Sequence, residues 1–141
     1  MAEILRSLNR EWSAIAGSPS ARRALMRWSA THPVLTSAAD LDDVIDLGFN
    51  PDDGPAVRRA LAALAPADHL AARTLLQGLL GGLCNLAHRV GRDDDAIDDI
   101  VRLAWERIRT YPASRPGSVS ANVLLDVRKR YRREQDKARR Q

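Results

Sequence analysis

The sequence predicts an all-α protein, a compact bundle of six or seven helices that ends in a long basic helix. Three observations predict it. Apolar residues recur at intervals of three and four through most of the chain, the period of a helix with one buried face. No segment shows the strict alternation of a half-buried strand. Helix-capping residues, prolines and glycines separate the periodic stretches.

The elements follow in order. Residues 3 to about 16 place Ile4, Leu5, Leu8, Trp12 and Ile15 on one face, and Gly17 ends that helix. Ser18-Pro19 reads as the cap and first position of a second helix, whose apolar face is Ala21, Ala24, Leu25 and Trp28. His32-Pro33 closes it, because a residue before proline avoids the helical region. Ser37 is placed to cap a short third helix carrying Leu41, Val44, Ile45 and Leu47. The run from Gly48 to Pro55 is the strongest turn cluster. It marks an N-terminal helical part, and a short helix with Val57, Leu61 and Leu64 carries that part to residue 65. The second part, residues 66–141, can pack with the first as one domain.

A long helix from about Asp68 to Val90 has the widest apolar face, with Leu75, Leu76, Leu79, Leu80, Leu83 and Leu86, and is expected at the centre. Gly78, Gly81 and Gly82 lie inside it and suit a close helix crossing or a kink. After a turn at Gly91-Arg92, the run Asp93, Asp94, Asp95, Asp98, Asp99 opens the next helix, where carboxylates favour the positive end of the helix dipole. Its buried face is Ile97, Ile100, Val101, Ala104, Trp105 and Ile108. Tyr111-Pro112 ends it, and Ser118 caps the last helix, with Val119, Val123, Leu124, Val127 and Tyr131 at helical spacing.

A length of 141 residues suits one compact domain able to bury a core. No run of apolar residues reaches the roughly 18 that a membrane span needs. The N-terminus lacks the pattern of a signal peptide. Cys84 is the only cysteine, so no intrachain disulfide forms, and it reads as a small buried apolar residue. A cytoplasmic setting follows. The abundance of Ala, Arg, Leu and Asp fits a bacterial source. His32, His69 and His88 are scattered, and neither a zinc set nor a calcium loop is present. There is no phosphate-cradling loop after a strand. Neither enzymatic activity nor a metal or other cofactor is expected.

Charge is where the sequence speaks of a partner. The run Arg128, Lys129, Arg130, Arg132, Arg133, Lys137, Arg139, Arg140 puts eight basic residues into the stretch from Arg128 to Gln141, against two acids. The whole chain has 22 basic and 18 acidic residues, so the remainder carries 14 and 16, a net of −2. All of the excess positive charge sits in one terminal helix, which points to a polyanion such as double-stranded DNA. Arg128, Arg132 and Arg139 lie near one face, and Lys129, Arg133, Lys137 and Arg140 near another. The alternative is a solvated tail on a helical protein-interaction module, an adaptor or anti-regulator, whose acidic remainder binds a basic partner. Ser120, Asn122 and Tyr131 are the candidates for sequence preference. Tyr131 either stacks on a base within the basic run or packs back on the bundle in register with Val127. Trp12, Trp28 and Trp105 fall on apolar faces and read as core.

The segment from about Leu70 to Arg133 resembles the second conserved region of bacterial RNA polymerase sigma factors, extracytoplasmic-function members above all. The parts that carry the likeness are Leu86-Ala87-His88-Arg89-Val90-Gly91, Asp98-Asp99-Ile100-Val101-Arg102-Leu103-Ala104-Trp105-Glu106-Arg107, the segment from Arg115 to Leu124 with its Gly117-Ser118, and the basic helix from Arg128 to Arg133. The resemblance implies a helical bundle that binds the polymerase core and opens promoter DNA. It assigns contacts with the core, or with another transcription factor, to Asp95, Asp98, Asp99, Arg102 and Glu106. Arg102-Leu103 stands where the family's clamp-binding helix has Gln-Glu, and Asn122 where its melting helix often has tryptophan. Residues 1–65 lie outside the likeness, and no helix-turn-helix follows it. The expectation is a sigma-like domain in regulatory use, not a complete initiation factor.

Overall fold

The computed structural model describes residues 2–91 and 94–141, without the side chain of Asp94. Asp93 and Arg92, expected at the turn and the start of the sixth helix, lie outside the described residues. Seven α-helices occur among the described residues: α1 (Glu3–Ile15), α2 (Pro19–Thr31), α3 (Leu41–Gly48), α4 (Gly54–Leu64), α5 (His69–Val90), α6 (Asp94–Thr110) and α7 (Val119–Arg139). A single 3-10 turn, Pro33–Leu35, follows α2. The described residues include no strand, and no helix among them is long and apolar enough to cross a membrane.

The caps explain the boundaries. Ser18 accepts a hydrogen bond from the Ala21 amide with Pro19 at the first turn, satisfying a donor that the helix itself cannot. Asp40, not Ser37, caps α3 by accepting from the Asp43 amide. Asp68 caps α5 by accepting from the amides of Leu70 and Ala71, and Ser118 caps α7 through Ala121.

α5 is the central helix. It packs against α3, α4, α6 and α7 and buries Ala71, Ala72, Leu75, Leu76, Leu79, Leu80, Leu83, Leu86 and Ala87. Of its three glycines, Gly82 marks a close approach: a Cβ there would lie 3.2 Å from Leu124 of α7. The apolar core is one cluster reaching from Trp12 to Tyr131, so no break in it falls at residue 65.

Polar contacts cross the same line. The Trp28 indole donates to Asp68, across 2.8 Å, on the carboxylate oxygen that the α5 cap leaves unused. Within the N-terminal part, the Trp12 indole donates to Asp42 at 2.8 Å. Trp12 and Trp28 are buried as expected. Trp105 is only half-buried, its ring edge-on to His69 with centroids 5.1 Å apart. α6 buries two flanks: Ile97, Ile100, Val101, Ala104 and Ile108, and also Leu103 at 2% exposure, because α5 and α7 both pack on it.

Candidate nucleic-acid interface

α7 carries the basic run, and its orientation decides what that run can do. Val119, Val123, Val127 and Tyr131 recur every four residues and are buried, which fixes the helix on the bundle through its first three turns. Beyond Tyr131 no residue of α7 is buried, and the helix continues past the core.

Two of the three acids of α7 are turned towards α6, while Asp136 stays exposed. Asp126 accepts from Arg107 of α6 at 2.8 Å and from Arg115 of the α6–α7 loop at 2.5 Å. Burial alone would push the Asp126 carboxyl up; hydrogen bonds from Arg115 and Arg107 outweigh it and hold the group below its usual range. Glu134 accepts from Arg102 of α6 at 3.1 Å. The cations are left outside. Arg128, Lys129, Arg130, Arg132, Arg133, Lys137 and Arg140 are exposed, and none has a carboxylate partner among the described residues. Arg139 alone of the run pairs, with Asp136 at 3.4 Å.

Two grooves flank α7. One, about 310 Å³, lies between α5 and α7 and is lined by Arg89, Arg128 and Arg132 over Leu86, Val90, Leu124 and Leu125. The other, about 220 Å³, lies between α6 and α7 and is lined by Arg107, Asp126, Lys129, Arg130 and Arg133 with Leu103 and Val127. Arg128 and Arg132 of one face read from the sequence, and Lys129 and Arg133 of the other, therefore line different grooves.

The residues expected to read sequence do not share this surface. Tyr131 is 7% exposed, and its hydroxyl lies near Gly91, 3.3 Å from where a Cβ would stand. Of the two placements read from the sequence, the ring takes the one that fills the α7 face of the core in register with Val127. Asn122 is half-buried and donates to the Tyr111 hydroxyl at 2.9 Å and to the Pro116 carbonyl at 3.1 Å. It fastens the loop before α7, where Gly117 takes φ +94°, a conformation that favours glycine. Ser120 lines a cavity of about 50 Å³ with Ile45, Phe49 and Leu79, on the side towards α3 and α4.

The contact residues assigned to α6 form a partly neutralised flank. Arg102 is shared among Asp99 at 3.9 Å, Glu106 at 3.4 Å and Glu134 at 3.1 Å. Asp95 is exposed. Asp98 lines a groove of about 270 Å³ between α1 and α6, with Ile4, Leu8, Arg102 and Trp105. Cys84 is half-buried, and burial pushes its thiol up, away from the reactive thiolate. Among the described residues no group of three or more His, Cys, Asp or Glu side chains could hold a metal ion.

Three features escaped sequence reasoning. Arg115 reads as a loop residue and nothing in the sequence singles out Asp126, yet they join α6, α7 and the loop between them. Tyr111, 2% exposed, reads as a helix end, yet the guanidinium groups of Arg107 and Arg115 stand 5.6 and 5.8 Å from its ring centre. Arg89 reads only as part of the last turn of the long helix, and α5 brings it beside Arg128 and Arg132. No protein-family model, curated protein or solved structure matches the chain.

Proposed function

We propose that the protein is a DNA-binding transcription regulator of the cytoplasm that holds duplex DNA through the exposed cations of α7. One observation carries the reading. α7 gives Asp126 and Glu134 to α6 and leaves seven cations of its run without a carboxylate partner among the described residues. A terminal helix that served only as a solvated end would gain from pairing those charges along its own surface. Holding them bare concentrates positive field where phosphates can replace counterions. The likeness of residues 70–133 to the second region of sigma factors supplies the setting, with the polymerase core or another transcription factor as the protein partner.

Phosphate contacts position a protein without reading bases. With Tyr131 and Asn122 turned inward, the reading is of affinity first and weak sequence preference. A titration of labelled duplex at increasing salt tests it. Binding that weakens steeply with salt supports the reading, and absence of binding at low salt removes it. The interaction-module reading draws on the groove between α1 and α6, whose walls combine Ile4, Leu8 and Trp105 with Asp98 and Arg102. Such a module without DNA binding is what the negative result would leave.

A further inference from the structure

We infer that one phosphate strand of the bound duplex lies in the groove between α5 and α7, held by Arg89, Arg128 and Arg132, and not along the α6 flank. The inference rests on the DNA-binding reading above and locates the strand within it.

The two flanks of α7 differ in their counter-charge. On the α6 side Asp126 lines the groove, and Arg107 is spent on it. On the α5 side no described carboxylate lines the groove, and Arg89, Arg128 and Arg132 are all without an acidic partner among the described residues. Three guanidinium groups facing one another across two helices repel, and a polyanion laid between them relieves that repulsion. The cations of this flank are all arginine, whose planar fork donates two parallel hydrogen bonds to a phosphate.

The spacing fits a strand. Arg128 and Arg132 are one turn apart, about 6 Å along the helix axis. A duplex rises about 3.4 Å per nucleotide along its axis, and because each strand winds obliquely around that axis its phosphates lie farther apart than the rise, so successive phosphates of one strand meet that interval. Arg89 stands opposite, on the helix that forms the core of the bundle, which fixes one wall before binding. Leu125 is 47% exposed at the floor, an apolar surface suited to the deoxyribose faces between phosphates.

The test compares equal charge removed from either flank. Arg89→Gln/Arg128→Gln/Arg132→Gln and Lys129→Gln/Arg130→Gln/Arg133→Gln each delete three cations, all exposed, so folding is retained and is checked by thermal melting. Binding of a labelled mixed-sequence duplex is followed by anisotropy over a salt series. The α5-flank triple should flatten the slope of log affinity against log salt by about 3, and the α6-flank triple by less than about 1. Arg89→Gln alone, outside the basic run, should flatten it by about 1 and weaken binding several-fold. Equal flattening by the two triples, or no effect of Arg89→Gln, overturns the groove assignment while DNA binding stands. Failure of the wild type to bind duplex, with binding instead to phosphatidylglycerol-containing vesicles, overturns both.

Discussion

Arg73 Nε donates to the Glu11 carboxylate across 2.6 Å, joining the second turn of α5 to α1. The same guanidinium donates to the Leu8 carbonyl at 2.8 Å and to Gln77 at 2.9 Å, and it stands 5.4 Å from the Trp12 ring centre. Arg73 is 3% exposed, so its charge is tolerated only because every face of the guanidinium is occupied. α1 contributes few other fixed points: Ile4, Leu5, Leu8 and Ile15 are only partly buried. Replacing Arg73 by Ala should therefore destabilise the protein by about 2–4 kcal/mol in denaturant unfolding. Glu11→Ala leaves that buried guanidinium without its carboxylate and should destabilise as well. A Glu11→Ala variant as stable as wild type would show that the carboxylate is not what holds the charge in place.

The glycines of two helices make opposite predictions. Gly81 is exposed in α5 with nothing within 4 Å of a Cβ. Gly81→Ala should stabilise by about 0.5–1 kcal/mol through helix propensity alone. Gly54 opens α4 with its Cβ position 2.5 Å from the Gly48 carbonyl oxygen, and the Arg58 guanidinium donates to that same oxygen. Gly54→Ala should destabilise, because backbone must move. Thermal melting of both variants checks the pair of signs.

Burying Leu83, fully enclosed in α5, makes Leu83→Ala a cavity mutation costing about 2–5 kcal/mol. A loss below about 0.5 kcal/mol, the range of surface substitutions, would mean that α5 is not the core helix.

The Asp126 network sets a pH dependence. Its carboxyl is held low in the folded chain by Arg115 and Arg107 against the opposing effect of burial. A folded pKa below the unfolded one gives stability that is full above the ordinary carboxylate value, about 4, and is lost as pH falls through the folded value. Asp126→Asn should thus be less stable than wild type at neutral pH and approach it in acid. Parallel stability curves from neutral pH down to about pH 3 would exclude Asp126 as the source.

Much of the helical plan was legible because it rests on local chemistry. The Leu face of α5, the Ser18 and Ser118 caps, the start of α5 near Asp68 and the two buried tryptophans of the N-terminal half follow from spacing and side-chain type. What was not legible depends on which elements meet. A helical period locates one buried face, and α6 has two, so Leu103 looked like a surface position. Arg73 has the composition of a solvent residue and is covered only because α1 folds across α5. Tyr131 and Asn122 looked available within a basic helix. Their direction is set by Gly91 and Tyr111, which the sequence places 40 and 11 residues away. The basic run was plain in the sequence, but which cations stay unpaired depends on where α6 puts Arg102 and Arg107.

The proposed role in transcription has a separate test on the α6 flank. Arg102 is committed to Glu134 and Leu103 is buried, so under the proposed likeness to sigma factors the pair that would stand for the clamp-binding Gln-Glu does not present two free polar side chains. Asn122 is likewise bound to Tyr111. With sigma-free polymerase core, the protein should yield no promoter-specific transcript in vitro. A specific transcript would show that it initiates by itself.

The central claim is that the bare cations of α7 hold duplex DNA. The direct measurement is the salt dependence of duplex binding for the wild type and for Arg128→Ala/Arg132→Ala/Arg133→Ala. The account predicts weaker binding of the variant to all duplexes by a similar factor, and a slope of log affinity against log salt flatter by about 2 to 3. Wild-type affinity and slope in the triple variant would contradict it and leave α7 as a solvated end.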